Sequence, residues 1–67
     1  MTIKVQTING ENITIPGIRC ISHTTDNMLI CVPRGEDTPI MVNGATIMRS
    51  ENAAFDVRQI RTIEILL

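Results

Sequence analysis

The 67-residue sequence predicts an all-β protein with a single domain over residues 1–67. We expect either a small barrel or a strongly curled antiparallel sheet of about five or six short strands. Apolar residues recur at every second position along most of the chain, which is the period of a strand. Asn-Gly and Pro-Gly turn signals separate these runs. No long run has helical periodicity, so we expect at most one short helical turn.

The first hairpin is predicted around Asn9-Gly10, a dipeptide that favours tight β-turns. The aliphatic residues that flank it at alternating positions are Ile3, Val5, Ile13 and Ile15. A loop of two residues would divide them between the two faces of the hairpin, whereas the three-residue loop Asn9-Gly10-Glu11 places them all on one face. We predict the longer loop, because the shorter one would expose half of the set.

The second hairpin is predicted in the segment GIRCISHTTDNMLICVP, residues 17–33. A turn centred between Thr25 and Asp26 places Cys20 opposite Cys31. In that register one face carries Ile18, Cys20, Leu29 and Cys31, and the other carries Ile21, Met28, Ile30 and Val32. Both faces are then apolar, although a sheet this small has only one face to bury internally.

The third hairpin is predicted over residues 40–48, with Asn43-Gly44 as a two-residue turn. Met41 and Met48 then lie on the face opposite Ile40, Val42 and Ile47. We expect residues 50–54 to form a short connection with one helical turn capped by Ser50, and residues 55–67 to form the last strands.

Two segments share one pattern: ITIPGIRCI at residues 13–21 and FDVRQIRTI at residues 55–63. Ile18 matches Ile60, and Arg19 matches Arg61. In each copy the first two apolar residues are two positions apart, and the next two intervals between apolar residues are three positions each. An interval of three suits a single 3₁₀ turn. Each copy therefore predicts strand, tight corner, strand. The closing arrangement resembles the end of SH3-like and Sm-like small barrels, and this resemblance implies the barrel form of the fold.

Composition restricts the class of protein. The formal net charge of −1 argues against a chain that wraps duplex nucleic acid, because such binding depends on many Lys and Arg contacts to phosphate. No stretch approaches the length and apolarity of a membrane span, and no secretory signal opens the sequence. We therefore expect a cytoplasmic protein without membrane association.

Self-association is the main structural expectation. A core this small is marginal alone, and large exposed apolar patches are unusual in monomers. The residues predicted to form a homo-oligomer interface are Leu29, Cys31, Met41, Met48, Ile65 and Leu67. The alternative is a closed monomeric barrel whose interior takes these side chains.

No catalytic, metal or cofactor site is predicted. Cys20 and Cys31 are expected to be free thiols in the core, because a cytoplasmic protein rarely keeps disulfides. His23, the single histidine, is expected to flank a polar turn. Zinc needs four ligands, which this chain does not offer.

Three functions remain open, and none is enzymatic. The first is an oligomer that holds a small anion such as a nucleotide at subunit interfaces, since Arg suits bidentate phosphate binding. Its predicted ligand residues are Arg19, Arg61, Arg34, Arg49, Ser22, Thr24 and Asn27. The second is a protein-interaction module, an accessory or inhibitor protein that docks through its apolar face. The third is a weak small-barrel nucleic-acid binder. The simpler interpretation, which we favour, is that the arginines form surface ion pairs with the acidic residues.

Overall fold

The computed structural model describes residues 1–35, 37–49 and 51–67, with only the backbone described at residue 49. Within these ranges the chain is all-β. The strands are β1 (Thr2–Thr7), β2 (Asn12–Ile15), β3 (Ile18–His23), β4 (Met28–Pro33), β5 (Thr38–Val42), β6 (Ala45–Arg49), β7 (Ala53–Asp56) and β8 (Ile60–Leu66). A single 3₁₀ turn, Val57–Gln59, lies between β7 and β8.

The strands form two antiparallel sheets. The larger has the order β6-β5-β2-β1-β8, and the smaller has the order β3-β4-β7. The all-β prediction is confirmed, but the described residues contain more strands than expected and form no closed barrel. The expected count of five or six was too low, because three hairpins and a last segment divided by a corner already comprise eight strands.

The repeated pattern marks two of the four places where the chain changes sheet. At Pro16-Gly17 it leaves the larger sheet and enters β3, and at the 3₁₀ turn it leaves β7 and enters β8. The backbone of Met1 exchanges hydrogen bonds with Ile18 at the first corner, with N···O distances of 2.9 and 3.0 Å. The predicted strand–corner–strand arrangement is confirmed in both copies, although only the second corner is a 3₁₀ turn.

A β-bulge follows each corner and explains the second interval of three in the pattern. The β3–β4 pairing moves from Ile18↔Pro33 to Cys20↔Val32, so Arg19 has no opposite residue. The β1–β8 pairing likewise moves from Thr7↔Ile60 to Gln6↔Thr62, so Arg61 has none. One extra residue reverses the alternation of faces. The matched arginines are therefore equivalent bulge residues.

The first and third hairpins keep the predicted faces. In the first, Ile3 pairs with Ile15 and Val5 with Ile13, so all four share one face as expected. The loop is one residue earlier than predicted, over residues 8–10, and Gly10 takes a left-handed φ of +85°. In the third, Asn43 and Gly44 both have positive φ, as a two-residue type I′ turn requires.

The predicted register of the second hairpin is wrong by one residue. Cys31 lies opposite Ile21, and Cys20 lies opposite Val32. The loop has three residues, 25–27, rather than two, because Asn27 takes a left-handed φ of +62° and adds a residue to the turn. Cys20 is consequently exposed, which corrects its assignment to the core, whereas Cys31 is buried as predicted.

The predicted helical turn at residues 50–54 is also wrong where the structure describes it. Ala53 and Ala54 belong to β7, where they pair with Cys31 and Ile30. The predicted cap, Ser50, lies outside the described residues. Strand pairing with β4 places Ala53 against the core, where it is buried, and this burial favours extended backbone over a helical turn.

The core lies between the two sheets and is aliphatic. Its buried apolar members are Ile3, Val5, Ile13, Ile15, Ile18, Cys31, Ile40 and Ala53. Only three strands cover a sheet of five. Ile47 in β6 and Ile65 in β8 pair with core residues Ile40 and Ile3, yet they remain 52% and 49% exposed. Both edges of the larger sheet therefore carry uncovered apolar side chains.

Candidate functional site: the β8 edge and the adjoining groove

Strand β8 is the most exposed apolar element in the described part of the chain. It is the longest strand there and forms one edge of the larger sheet, with β1 as its neighbour. Ile63, Ile65 and Leu66 are 43%, 49% and 43% exposed. Edge strands present unpaired backbone N–H and C=O groups, and proteins usually protect them with proline, lysine or short length. Residues 62–66 contain no proline or lysine, and Glu64 is their one charged residue.

An open groove of about 420 Å³ lies between β8 and the smaller sheet. Its lining residues are His23, Leu29, Val57, Ile60, Arg61, Thr62 and Ile63. The groove exists because the 3₁₀ turn carries the chain from one sheet to the other without filling the space beside it. At this turn, the Val57 N–H donates to the Asn27 carbonyl at 2.9 Å, which joins the β3–β4 turn to the 3₁₀ turn.

Of the two acidic residues nearest in sequence to Arg61, one pairs with Arg58 and the other lies on the opposite face of the sheet. Arg58 donates to both oxygens of the Asp56 carboxylate from Nε and Nη2, at 3.0 and 2.9 Å. These bonds, together with the Arg58 backbone N–H, lower the pKa of Asp56. Glu64 lies directly opposite Lys4 on the other face of the sheet. Arg61 therefore lines the groove as an exposed guanidinium without an acidic partner among the described residues.

The predicted ligand residues do not converge on one pocket. Arg61 alone lines the groove, and its match, Arg19, lies at the other bulge. The Thr24 hydroxyl is used within its own turn, where it donates to the Asp26 carboxylate and accepts from the Met28 N–H at 3.0 Å. The remaining predicted residues are Ser22 in β3, Asn27 in the β3–β4 turn, Arg34 in the loop after β4, and Arg49, whose side chain lies outside the described residues.

The predicted interface residues also separate. Cys31 is fully buried inside the single chain and has no surface to offer a partner. Met48 is exposed on β6, whereas Ile65 and Leu67 are exposed at or beyond β8, on the opposite edge of the sheet. Leu29 lines the groove, and Met41 is half-buried on the outer face of β5. Of the six predicted interface residues, Ile65 and Leu67 are thus the two that lie at the β8 edge.

Sequence reasoning missed the groove residues His23, Val57, Ile60 and Ile63 as a group. His23 was expected to flank a polar turn, and it does so as the exposed last residue of β3, but it also lines the groove. A signal was present in the repeated pattern, because Ile60 and Ile63 match the inward-facing Ile18 and Ile21. In the first copy the strand after the corner is β3, which belongs to the smaller sheet. In the second copy the strand after the corner is β8, which forms an edge of the larger sheet. The isoleucines of the second copy, Ile60 and Ile63, therefore line an open groove.

The described residues contain no cluster of metal-ligating side chains and no helix with the length and apolarity to span a membrane. Both cysteines are free thiols, and burial raises the pKa of Cys31 to about 11. No known protein family, curated protein or solved structure matches this chain.

Proposed function

We propose that this chain is a non-enzymatic binding protein that works as a homo-oligomer, in which β8 pairs with β8 of a second copy. The observation that carries this proposal is the long edge strand β8 with its exposed apolar side chains. Antiparallel pairing about a two-fold axis would join two larger sheets into one continuous sheet. It would also satisfy the backbone groups at the free edge.

The energetic balance supports a weak dimer. Fully burying an Ile or Leu side chain stabilises by about 1.5–3 kcal/mol. Ile63, Ile65 and Leu66 each expose about half of their surface, so covering all of it in both copies would contribute at most about 4–9 kcal/mol. Strand pairing covers the part that faces the neighbouring strand, because side chains project above and below a sheet. Association costs about 4–15 kcal/mol in lost freedom, and new backbone hydrogen bonds add about 0.5–1.5 kcal/mol each. These gains and this cost are of similar size, so we expect a weak dimer whose population depends on concentration.

The β8 edge is favoured over the other strand edges for reasons of length and regularity. At the far edge of the same sheet, β6 has five residues against seven in β8, and a longer strand offers more hydrogen bonds. In the smaller sheet, β3 carries the bulge at Arg19 and β7 has four residues. The bulge in β8 falls near its start, so residues 62–66 remain regular.

The direct test is the mass of the purified chain by light scattering over a dilution series, combined with hydrogen exchange. Pairing through β8 predicts a concentration-dependent dimer in which the outward-facing amides of residues 62–66 gain protection. A chain that remains monomeric at millimolar concentration contradicts the proposal. If the amides of β6 gain protection instead, the dimer forms through the opposite edge of the larger sheet and the proposed contact is wrong.

The other functions have less support. A docked partner protein would use the same edge by strand addition, and this alternative gains if the chain is monomeric and captures a defined partner. A nucleotide held by several arginines is disfavoured by their separation. Nucleic-acid binding is disfavoured by a net charge of −1 and a single aromatic residue. The two sheet-changing corners support a relationship to small barrels of the SH3-like kind, which we retain as part of the proposal.

A further inference from the structure

The groove beside β8 has the character of a small-ligand site. Its volume of about 420 Å³ lies within the range of about 300–1,000 Å³ that is usual for ligand pockets. Four aliphatic side chains, Leu29, Val57, Ile60 and Ile63, form most of its lining. Its lining contains no Phe, Tyr or Trp, and the imidazole of His23 is its one ring, so the surface suits a flexible aliphatic body better than a stacked base.

One charged group gives the groove its polarity. Arg61 lines the groove beside Ile60 and Thr62, and its guanidinium has no acidic partner among the described residues. A guanidinium presents a planar pair of donors that matches a carboxylate. His23 is the other titratable side chain in the lining.

We propose that this groove binds an aliphatic monocarboxylate, with the carboxylate on Arg61 and the hydrocarbon chain on the four aliphatic side chains. The single unpaired arginine fits one anionic group. A nucleotide, which carries several charges and a flat base, would leave most of its polar groups against aliphatic walls. The ligand class is therefore narrower than the small anion predicted from the arginine content.

The site is complete within one chain, so this inference goes beyond the proposed dimer and does not depend on it. Ile63 lies both in the groove and on the β8 edge. The test is therefore carried out at concentrations where light scattering reports monomer. Ligand binding without dimerisation overturns only the proposed function, and dimerisation without ligand binding overturns only this inference.

The experiment is a titration of the ¹⁵N-labelled chain with octanoate, followed by amide chemical shifts. We expect saturable shifts at residues 57–63 and at His23 and Leu29, with a dissociation constant in the millimolar range or tighter. Octanol, which has the same tail without the charge, and acetate, which has the charge without the tail, are each expected to bind at least tenfold more weakly.

Matched variants test the role of Arg61. Arg61→Gln is expected to weaken octanoate binding about tenfold or more, since hydrogen bonds to charged groups are the stronger class. Arg19→Gln removes the same charge from the equivalent bulge outside the groove and is expected to bind like the unmodified chain. Val57→Ser tests the apolar wall and is expected to weaken binding severalfold.

Three results would overturn the proposal: shifts that fall outside the groove, octanol binding as tightly as octanoate, or Arg61→Gln binding as tightly as Arg19→Gln. The dispersion of each variant's own amide spectrum shows that it is folded, so a loss of binding cannot be attributed to unfolding. Absence of any saturable octanoate binding to the unmodified chain also rejects it.

Discussion

Replacing Ile65 by threonine is expected to weaken the β8-mediated dimer while leaving the fold intact. Threonine keeps a β-branched side chain, so the strand propensity at this edge changes little. The substitution removes apolar surface from a residue that is 49% exposed in the single chain and pairs with Ile3 across β1. It introduces no charge, so a loss of association reports contact rather than repulsion.

The magnitude follows from the exposed half of the side chain. Covering that half contributes about 0.7–1.5 kcal/mol, which is half the value for burying a whole isoleucine. A two-fold dimer counts this contribution twice. Since threonine retains one methyl group, we expect a loss of about 1–3 kcal/mol, equivalent to a dissociation constant about 5- to 160-fold higher.

Sedimentation equilibrium of Ile65→Thr against the unmodified chain measures this change. Ile47→Thr is the matched control, because Ile47 is 52% exposed on β6, at the opposite edge of the same sheet. We expect the control to dimerise like the unmodified chain. Equal weakening by both substitutions, or weakening by Ile47→Thr alone, would refute the assignment of the contact to β8.

Four further predictions concern the single chain. Cys20 is exposed and Cys31 is buried with its pKa raised to about 11, so a thiol reagent should give one adduct by intact mass in the native chain and two in denaturant. Because the Cys31 thiol ionises more readily when unfolded, the free energy of unfolding should fall as pH rises above 9.0, as urea titrations at rising pH would detect. Gly10→Ala, at a φ of +85°, should cost about 1–2 kcal/mol, whereas Gly35→Ala, with open space around it, should be nearly neutral in the same titration. Ile3→Val, at a fully buried site, should cost about 0.5–1.5 kcal/mol, and a loss below that range would mean that the core is packed less tightly than described.

Local turn chemistry could be predicted from the sequence, because it depends on few residues. Asn43-Gly44 gave the expected two-residue turn, since both residues tolerate positive φ. The second hairpin shows the limit of such reasoning. Whether Asn27 joins the loop in a left-handed conformation decides between two registers, and the face of Cys20 depends on that choice.

The arrangement of the sheets could be predicted only in part. The repeated pattern indicated two corners, and both exist, but it did not indicate that the chain changes sheet at each. Its two intervals of three have different origins: the first is a corner and the second a bulge. A sequence pattern records only that the alternation of faces is interrupted, and tertiary pairing decides how.

The candidate site was the least predictable part. Arg61 was identified by its residue type and its place in the repeat, whereas the groove beside it arises from the unequal width of the two sheets. That inequality depends on which strands pair across long distances in the sequence. The exposed apolar C-terminal strand was visible in the sequence, but its partner β1 was not.

The two bulges fix where this chain tolerates a change in length. Arg19 and Arg61 have no opposite residue in their strand pairs. Deleting either one therefore leaves every other cross-strand pair in place, and the residues that face the core still face it. A deletion at any other position inside a paired strand would exchange the interior and solvent sides of the residues beyond it. Homologous chains are therefore expected to vary in strand length at these two positions.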